Sequence, residues 1–470
     1  MLNYKDKYDV IIIGGGSSGF AAAIKASDQN KHVLVIEEGI IGGTCLNVGC
    51  VPTKSLIGAS RIIELGQSNA YKGIKMKANP VDMDALITQK NDLLDELRQS
   101  KYTNIYESDP NIDIIRGTAS FVGEKSIEVD EKTFQGAYFI IATGSRVKIP
   151  TIKGIESVDY ITSTEALDLR ELPERLLVIG AGWVSLEFAK MYQQLGCQVE
   201  ILLRGNKLLK SEEPEISEAI EQYLVEDGIV VHKSINFIEV SQNDGVKTVV
   251  FTKEGNQLKV DGDQLLIATG RIANTEALNL PIANVTLDER GFVKVNEFLQ
   301  TSNSRIYASG DVIGRYMLVT IDAHEGSIAM TNILFGNKMV VNEKAIPHAV
   351  FTTPEIGSVG LTEEQARSQG FNVATRILKM DQVPKALAIH QTRGLIKMVI
   401  DSDSREILGV HMIGHLAAEV LQEATLAIRF SMKVDDITSV IHIYPTMAEA
   451  IKLVGKSFSK DVSKLSCCAE

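Results

Sequence analysis

Two stretches of this chain repeat one pattern: an apolar run, a glycine-punctuated turn and a helix rich in small residues. Residues 8–13 lead into Gly14-Gly15-Gly16-Ser17-Ser18-Gly19, then an alanine-rich helical stretch and a second apolar run at 32–36. Far downstream, residues 175–179 lead into Gly180-Ala181-Gly182-Trp183-Val184-Ser185, a helix to about Leu195 and the run 198–203. Each reads as the strand–turn–helix–strand opening of a dinucleotide-binding unit. One such turn alone carries little weight. Two in the same context predict an α/β chain with two Rossmann-like units. Apolar segments 138–142 and 264–268 each run into Ala-Thr-Gly, so both units close on the same turn, at Thr143-Gly144 and Thr269-Gly270.

The residue types fit the ligand chemistry. Gly14 permits the tight turn, Gly16 lets the backbone approach a pyrophosphate, and Gly19 allows close helix–strand packing. The helix N-terminus behind them offers free N–H groups and partial positive charge. Glu37 ends the second strand, where a carboxylate accepts from ribose hydroxyls, and its neighbour Glu38 reads as a solvated charge. In the second unit, Gly180 and Gly182 remain but Ser185 replaces the last glycine, and serine is small enough to keep helix and strand close. That unit's second strand ends without an acid, in Leu203-Arg204-Gly205-Asn206-Lys207-Leu208-Leu209-Lys210. Arg204 and Lys210 suit a 2′-phosphate, which favours NADPH over NADH.

Between these units lies Gly42-Gly43-Thr44-Cys45-Leu46-Asn47-Val48-Gly49-Cys50-Val51-Pro52-Thr53-Lys54. A helical turn loosened at Gly49 lets the sulfurs of Cys45 and Cys50 approach. A close pair in a chain with 5 cysteines among 470 residues is not part of a secreted disulfide framework. It is a redox dithiol or a soft-metal site. The net charge of −12 disfavours nucleic acid and anionic membrane as partners. No run is apolar enough to span a bilayer, and the first ten residues do not read as a signal peptide, so the expected location is cytoplasmic. Residues 84–105 read as a long charged helix. Past about Pro347 the pattern becomes α+β, with strands at 395–400 and 407–412, a helix at 417–430 and a last helix at about 446–458. Cys197, at the start of a strand, reads as buried and inert.

These motifs resemble the pyridine nucleotide-disulfide oxidoreductases over essentially the whole chain. Gly14 to Gly19 with Glu37 resembles the family's FAD fingerprint, and Cys45 to Lys54 resembles its redox-active segment. Ile306-Tyr307-Ala308-Ser309-Gly310-Asp311 resembles its second FAD motif, in which the aspartate binds the ribityl chain. The resemblance implies a discontinuous FAD-binding domain (1–150 and 271–345), an NAD(P)H-binding domain (151–270) and a C-terminal α+β dimerisation domain (346–470). It implies that Cys50 lies against the flavin as the charge-transfer thiolate and that Cys45 is the interchange thiol. Lys54 matches the lysine beside the flavin and Glu187 the glutamate that pairs with it. Gly43, Thr44, Thr143 and Gly144 join the expected FAD contacts, and Gly270 joins the NADPH contacts. Trp183, the single tryptophan, stands where members often carry a tyrosine shielding the nicotinamide pocket.

The C-terminal segment reads His442-Ile443-Tyr444-Pro445-Thr446-Met447-Ala448-Glu449. Disulfide reductases of the family have a histidine at the place of Tyr444, as the acid–base for thiol exchange, and keep the glutamate. A tyrosine, with a free pKa of about 10, is a poor proton shuttle at neutral pH. His442 lies two positions away and could substitute only from a displaced position. Adjacent Cys467 and Cys468 near the chain end are strained as a disulfide and suit capture of a soft metal ion. Both departures, with 383–387 and 460–469, are similar to the branch of the family that reduces mercuric ion. That branch implies NADPH- and FAD-dependent reduction of Hg(II) to Hg(0) by a homodimer. Cys467 and Cys468 of one subunit would pass Hg(II) to Cys45 and Cys50 of the other, with Tyr444 lining the site and Glu449 at the interface. It also implies a chain that begins at the catalytic core, without the N-terminal metal-binding domain that many members carry. Two rivals remain: a lipoamide- or thioredoxin-type disulfide reductase, and a non-catalytic metal-binding or redox-sensing flavoprotein.

Overall fold

Residues 10–13 and 33–36 are apolar throughout, and strands of that kind need cover on both faces. They form the centre of a parallel sheet in the computed structural model, which describes residues 4–67, 69–77 and 79–461. Strand β1 (Lys7–Ile13) lies between β2 (Val33–Glu37) and β6 (Lys132–Ile141), with β3 (Ile112–Arg116) beyond β2. Val10 sits opposite both Val33 and Tyr138, and Ile11, Ile12, Leu34 and Val35 are fully buried. β6 is long enough to change partners. Its first half pairs antiparallel with β5 (Ser126–Val129), which pairs with β4 (Ser120–Gly123). Its last residues pair in parallel with β16 (Ile306–Ala308), so a distant part of the chain completes this sheet.

The second parallel sheet has the order β10 (Val230–His232), β9 (Gln198–Leu202), β8 (Arg175–Ile179), β14 (Gln264–Ile267). A three-stranded antiparallel sheet, β11 (Asn236–Asn243), β12 (Val246–Lys253) and β13 (Asn256–Gly262), is inserted before β14. Where the chain leaves and re-enters the first unit, β7 (Ser145–Val147) and β15 (Arg271–Ala273) pair antiparallel. The C-terminal unit is an antiparallel sheet ordered β17 (His348–Val350), β18 (Glu355–Gly360), β21 (Ile407–Gly414), β20 (Leu395–Asp401), β19 (Val373–Lys379).

Helices α1 (Ser17–Ser27), α2 (Gly43–Asn47), α3 (Cys50–Gln67) and α4 (Met83–Arg98) belong to the first unit. The long charged helix continues from α4 through a π-helical turn at Gln99–Thr103 into α5 (Asn104–Ser108). α6 (Ser163–Ala166), α7 (Trp183–Leu195) and α8 (Pro214–Glu226) follow, then α9 (Val319–Phe335) returns to pack on α1. α10 (Glu363–Ser368), α11 (Pro384–Ala388), α12 (Ala417–Arg429), α13 (Val434–Ser439) and α14 (Glu449–Lys456) complete the chain, α12 lying on β18 and β21. The last helix is shorter than the sequence predicts. Ala450 and Ile451 bond back only three residues, to Met447 and Ala448, so residues 446–448 form a turn rather than α-helix.

α3 is the element on which the units converge. Leu56 and Ile57 are buried in one core with Leu186, Phe188 and Ala189 of α7 and with Val350, Ile356 and Ile413 of the C-terminal sheet. The dithiol at the head of α3 is therefore fixed to all of them at once.

α1 and α9 approach closely at Gly326, where an added Cβ would lie 2.1 Å from the Ser18 carbonyl oxygen. Gly326→Val should force these helices apart and cost about 1–3 kcal/mol. Urea unfolding should show a lower midpoint at unchanged slope; an unaltered midpoint would contradict the packing described.

Candidate active site

The two cysteines meet because a glycine lets two short segments fold onto each other. α2 ends at Asn47, the chain breaks at Val48 and Gly49, and Cys50 opens α3. A Cβ on Gly49 would lie 2.7 Å from the Thr44 carbonyl oxygen and 3.2 Å from the Cys45 Cα, so no larger residue fits there. Thr53 closes the turn, its N–H and Oγ1 both donating to the Gly49 carbonyl (3.1 and 2.6 Å). Cys45 and Cys50 are free, half-buried thiols linked by a hydrogen bond.

Their environments differ in sign. The hydrogen bond from Cys45 and, after it, the charge of the Lys54 ammonium outweigh burial and together lower the pKa of Cys50 to about 7. Cys50 is also the first residue of α3, where the helix dipole favours an anion. Cys45 bears the opposite effect: its hydrogen bond to Cys50, burial and repulsion from the neighbouring sulfur all raise its pKa. Above about pH 7 the pair is one thiolate and one thiol.

Lys54, one turn along α3, donates to both oxygens of Glu187 on α7 (3.2 and 3.0 Å). Glu187 is buried and also accepts from the Phe351 N–H at 2.9 Å, while the Lys54 ammonium lies 4.6 Å from the centre of the Phe351 ring. Sequence reading missed Phe351. Its partner Glu187 is 164 positions away, and a lone phenylalanine gives no local signal.

Most residues predicted to hold FAD line one cavity of about 570 Å³: Gly14, Gly16, Glu37, Gly43, Thr44, Thr143, Gly144 and Asp311. Of the two sulfurs it is Cys45 that lines it, and neither Cys50 nor Lys54, both expected beside the flavin, is among its lining residues. Gly19 lies behind it as packing, its Cβ position only 1.9 Å from the Gly14 carbonyl oxygen. The Glu37 carboxylate accepts from the Gly15 and Gly39 N–H groups, each at 2.7 Å. Exposed Glu38 stands on the same cavity. The Thr143 hydroxyl donates to the Asn274 carbonyl and the Asn274 amide donates back, pinning the Thr143-Gly144 turn. Asp311 accepts from Ser145 Oγ and lies 3.4 Å from Arg271 Nε. Burial and then the Asp311 charge raise Asp322 to about 9, and burial raises Glu325 to about 7. Asn274 and Asp322, which line this cavity, and Ser145 and Arg271, which contact Asp311, also went unread in the sequence, because only the tertiary fold brings them together.

The cavity fits FAD on one further observation. α1 starts at Gly16 with no side-chain cap and no acid in its first turn. Its first N–H groups are thus left for an anion such as a pyrophosphate. α7 starts the same way at Gly182, where an added Cβ would meet nothing within 4 Å. Gly182, Trp183, Leu209, Lys210 and Ser211 line a second, wide-mouthed cavity of about 510 Å³. Arg204 is exposed at the head of the same loop, its guanidinium 5.7 Å from the Phe237 ring centre. Gly180 and Gly270 occupy their turns at φ +150° and +109°. Ser185 is fully buried and donates to the Gly182 carbonyl, so it does pack in the glycine's place.

Cys197 is buried, and burial pushes its thiol up to about 12, as an inert residue requires. Tyr444 is 46% exposed on the segment leading to α14, where Ile441 and Ile443 are 85% and 81% exposed. Glu449 opens α14 and accepts from the Thr446 N–H at 3.3 Å. His442 has both ring nitrogens engaged, with the Val440 carbonyl (3.1 Å) and Glu423 Oε1 (2.8 Å). Cys467 and Cys468 lie outside the described residues. Among the described residues, no three His, Cys, Asp or Glu side chains are grouped to hold a metal ion, and no helix is long and apolar enough to cross a membrane.

A polarised dithiol between two uncapped nucleotide-binding helices defines a flavin- and nicotinamide-dependent dithiol enzyme. The chain belongs to the pyridine nucleotide-disulphide oxidoreductase family, which matches residues 8–326, and the family's dimerisation domain matches 346–454. It is 41% identical over 465 residues to the mercuric reductase of Lysinibacillus sphaericus, covering 99% of this chain and 85% of that one. With the mercuric reductase of Streptomyces lividans it shares 40% identity over 476 residues, covering 100% of both. Among solved structures, the Cu(II) complex of the HOCl-induced flavoprotein disulfide reductase RclA from Escherichia coli superimposes with a TM-score of 0.87. It is 29% identical and covers 97% of this chain and 100% of that one.

The Cys50 pKa is depressed, so its thiolate is present above about pH 7 and lost as the pH falls below it. Iodoacetamide alkylation of the reduced protein should therefore rise through pH 7. Lys54→Met should move that midpoint up by about one unit; an unmoved midpoint would show that the ammonium does not polarise the sulfur.

Proposed function

We propose that this chain reduces Hg(II) to elemental mercury at the expense of NADPH. The observation that carries the reading is Tyr444. A disulfide reductase must move protons at sulfur, and tyrosine stands where the family's imidazole does that work. His442 offers no substitute, because Glu423 and the Val440 carbonyl already occupy its ring nitrogens. Delivery of two electrons to a metal ion needs no such shuttle. The mercuric reductases to which the chain is similar support the same conclusion.

The unit formed by 1–150 and 271–345 would hold FAD through Gly14, Gly16, Glu37, Gly43, Thr44, Thr143, Gly144 and Asp311. Residues 151–270 would hold NADPH through Gly180, Gly182, Gly270, Arg204 and Lys210. When bound, FAD and NADPH supply the two electrons that Hg(II) consumes, NADPH leaving as NADP⁺ with release of one proton. The chain's own residues prepare the metal's seat. The Cys50 thiolate is the first ligand, because soft Hg(II) prefers sulfur anions. Cys45 gives up its proton on binding, so the repulsion that raises its pKa is replaced by a bond to the cation. Lys54, held by Glu187, stabilises negative charge beside the sulfurs.

Residues 346–470 would join two subunits. The exposed apolar side chains Leu426, Phe430, Ile441 and Ile443 form the kind of surface that a partner covers. Tyr444, Glu449 and the Cys467–Cys468 pair would then complete the dithiol site of the other subunit. The cytoplasm, where thiols stay reduced, is the compartment this chemistry needs.

With Hg(II) presented in excess small thiol, replacing Cys467 and Cys468 by alanine should slow mercury-dependent NADPH oxidation by about tenfold or more, the range for losing a ligand-handling group. Unchanged turnover would remove the tail from the mechanism.

A further inference from the structure

Side chains outside the nucleotide-binding motifs support the lining of the second cavity from behind. Trp183 opens α7 directly after Gly182, and its indole stacks on the His348 imidazole, with ring centres 4.8 Å apart and planes 20° from parallel. His348 opens β17 and so belongs to the C-terminal unit. Its Nε2 lies 2.7 Å from Glu212 Oε1, and Glu212 Oε2 accepts from Ser358 Oγ at 2.6 Å. Glu212 directly follows Ser211 of the cavity wall. One imidazole thus braces both sides of the cavity, Trp183 by stacking and residues 209–211 through Glu212.

The brace is held from both ends. Burial favours the neutral acid at Glu212, but hydrogen bonds from His348 and Ser358 outweigh it and hold the pKa down. The next residue, Glu213, is buried and takes Lys397 Nζ at 3.0 Å and the Glu363 N–H at 2.6 Å. On the cavity side, the Leu209 N–H donates to the Ala181 carbonyl at 2.9 Å while Leu209 sits at φ +47°. A non-glycine residue stays in that region only where its surroundings over-determine it.

We propose that His348 is a positioning residue for the nicotinamide nucleotide, presetting Trp183 on one side and the Lys210-bearing wall on the other. The proposal rests on reading this cavity as the NADPH site. A preset wall spares the nucleotide the cost of ordering it on binding. The C-terminal unit thereby sets nucleotide affinity from outside the nucleotide-binding sheet.

The chain's only tryptophan makes this testable. NADP⁺ is titrated into the FAD-loaded protein, followed by Trp183 emission and by calorimetry, in wild type, His348→Phe and His348→Gln. Phenylalanine keeps a stacking ring and loses the bond to Glu212, whereas glutamine keeps a polar end and loses the stack. Both should weaken NADP⁺ by roughly five- to tenfold, the scale of one lost hydrogen bond to a carboxylate for His348→Phe and of one lost aromatic pair for His348→Gln, and the loss should fall on KM for NADPH more than on kcat. His348→Gln alone should shift the emission of the free protein. If His348→Phe does not fold, His348→Gln still decides. Wild-type NADP⁺ affinity in a variant whose Trp183 emission has shifted would overturn the proposal alone. No calorimetric NADP⁺ binding to the wild-type protein would overturn the reading of the cavity, and the proposal with it.

Discussion

Three parts of the chain meet at the Glu187 carboxylate. It is buried on α7, takes Lys54 from α3 and takes the Phe351 N–H from the C-terminal unit. A carboxylate out of water must be paired and hydrogen-bonded, and removing a partner of such a group is costly. The three segments are therefore held to one another at this point. The consequences run along α7. Trp183 lies one turn before Glu187, on the same helix face, at the mouth of the second cavity. On the other side, Lys54 lies one turn after Cys50. This ion pair, with the α3–α7 core and the Ser60–Gln194 and Lys190–Glu64 bonds, fixes the distance between the dithiol and the nucleotide-binding helix.

The second constraint is electrostatic asymmetry within the dithiol. Two identical side chains five positions apart are pushed in opposite directions, Cys50 down and Cys45 up. Cys50 has the hydrogen bond from Cys45 and the charge of Lys54; Cys45 has that same hydrogen bond to hold its proton, burial, and the neighbouring anion. Such a pair suits a cycling disulfide as well as a metal seat, so the sulfurs alone do not choose the chemistry. In the proposed function that choice rests on Tyr444, read as standing where the family's imidazole would, and on His442, whose ring nitrogens contact the Val440 carbonyl and Glu423.

What was legible in the sequence follows the range of each interaction. The nucleotide-binding turns and the Cys45–Cys50 approach depend on residues a few positions apart: Gly16 and Gly182 stand at the heads of α1 and α7, and Gly49 lies in the break between α2 and α3. The Lys54–Glu187 pair could be anticipated only from resemblance, since a lone glutamate on a helix looks like any surface charge. Phe351, His348, Glu212 and Asn274 were not legible at all. Each acts through a partner far along the chain, and none belongs to a periodic or motif-like pattern. The start of the last helix was also misplaced, because residues 446–448 use tighter hydrogen bonds that composition does not reveal.

The central claim is that this dithiol holds a metal ion rather than cycling as a disulfide. The most direct measurement follows NADPH oxidation and mercury vapour together, with Hg(II) in excess thiol, beside parallel reactions with lipoamide and oxidised thioredoxin. The account predicts elemental mercury released mole for mole with NADPH consumed, and little turnover of either disulfide. Brisk disulfide reduction, with Hg(II) acting only as an inhibitor, would contradict it.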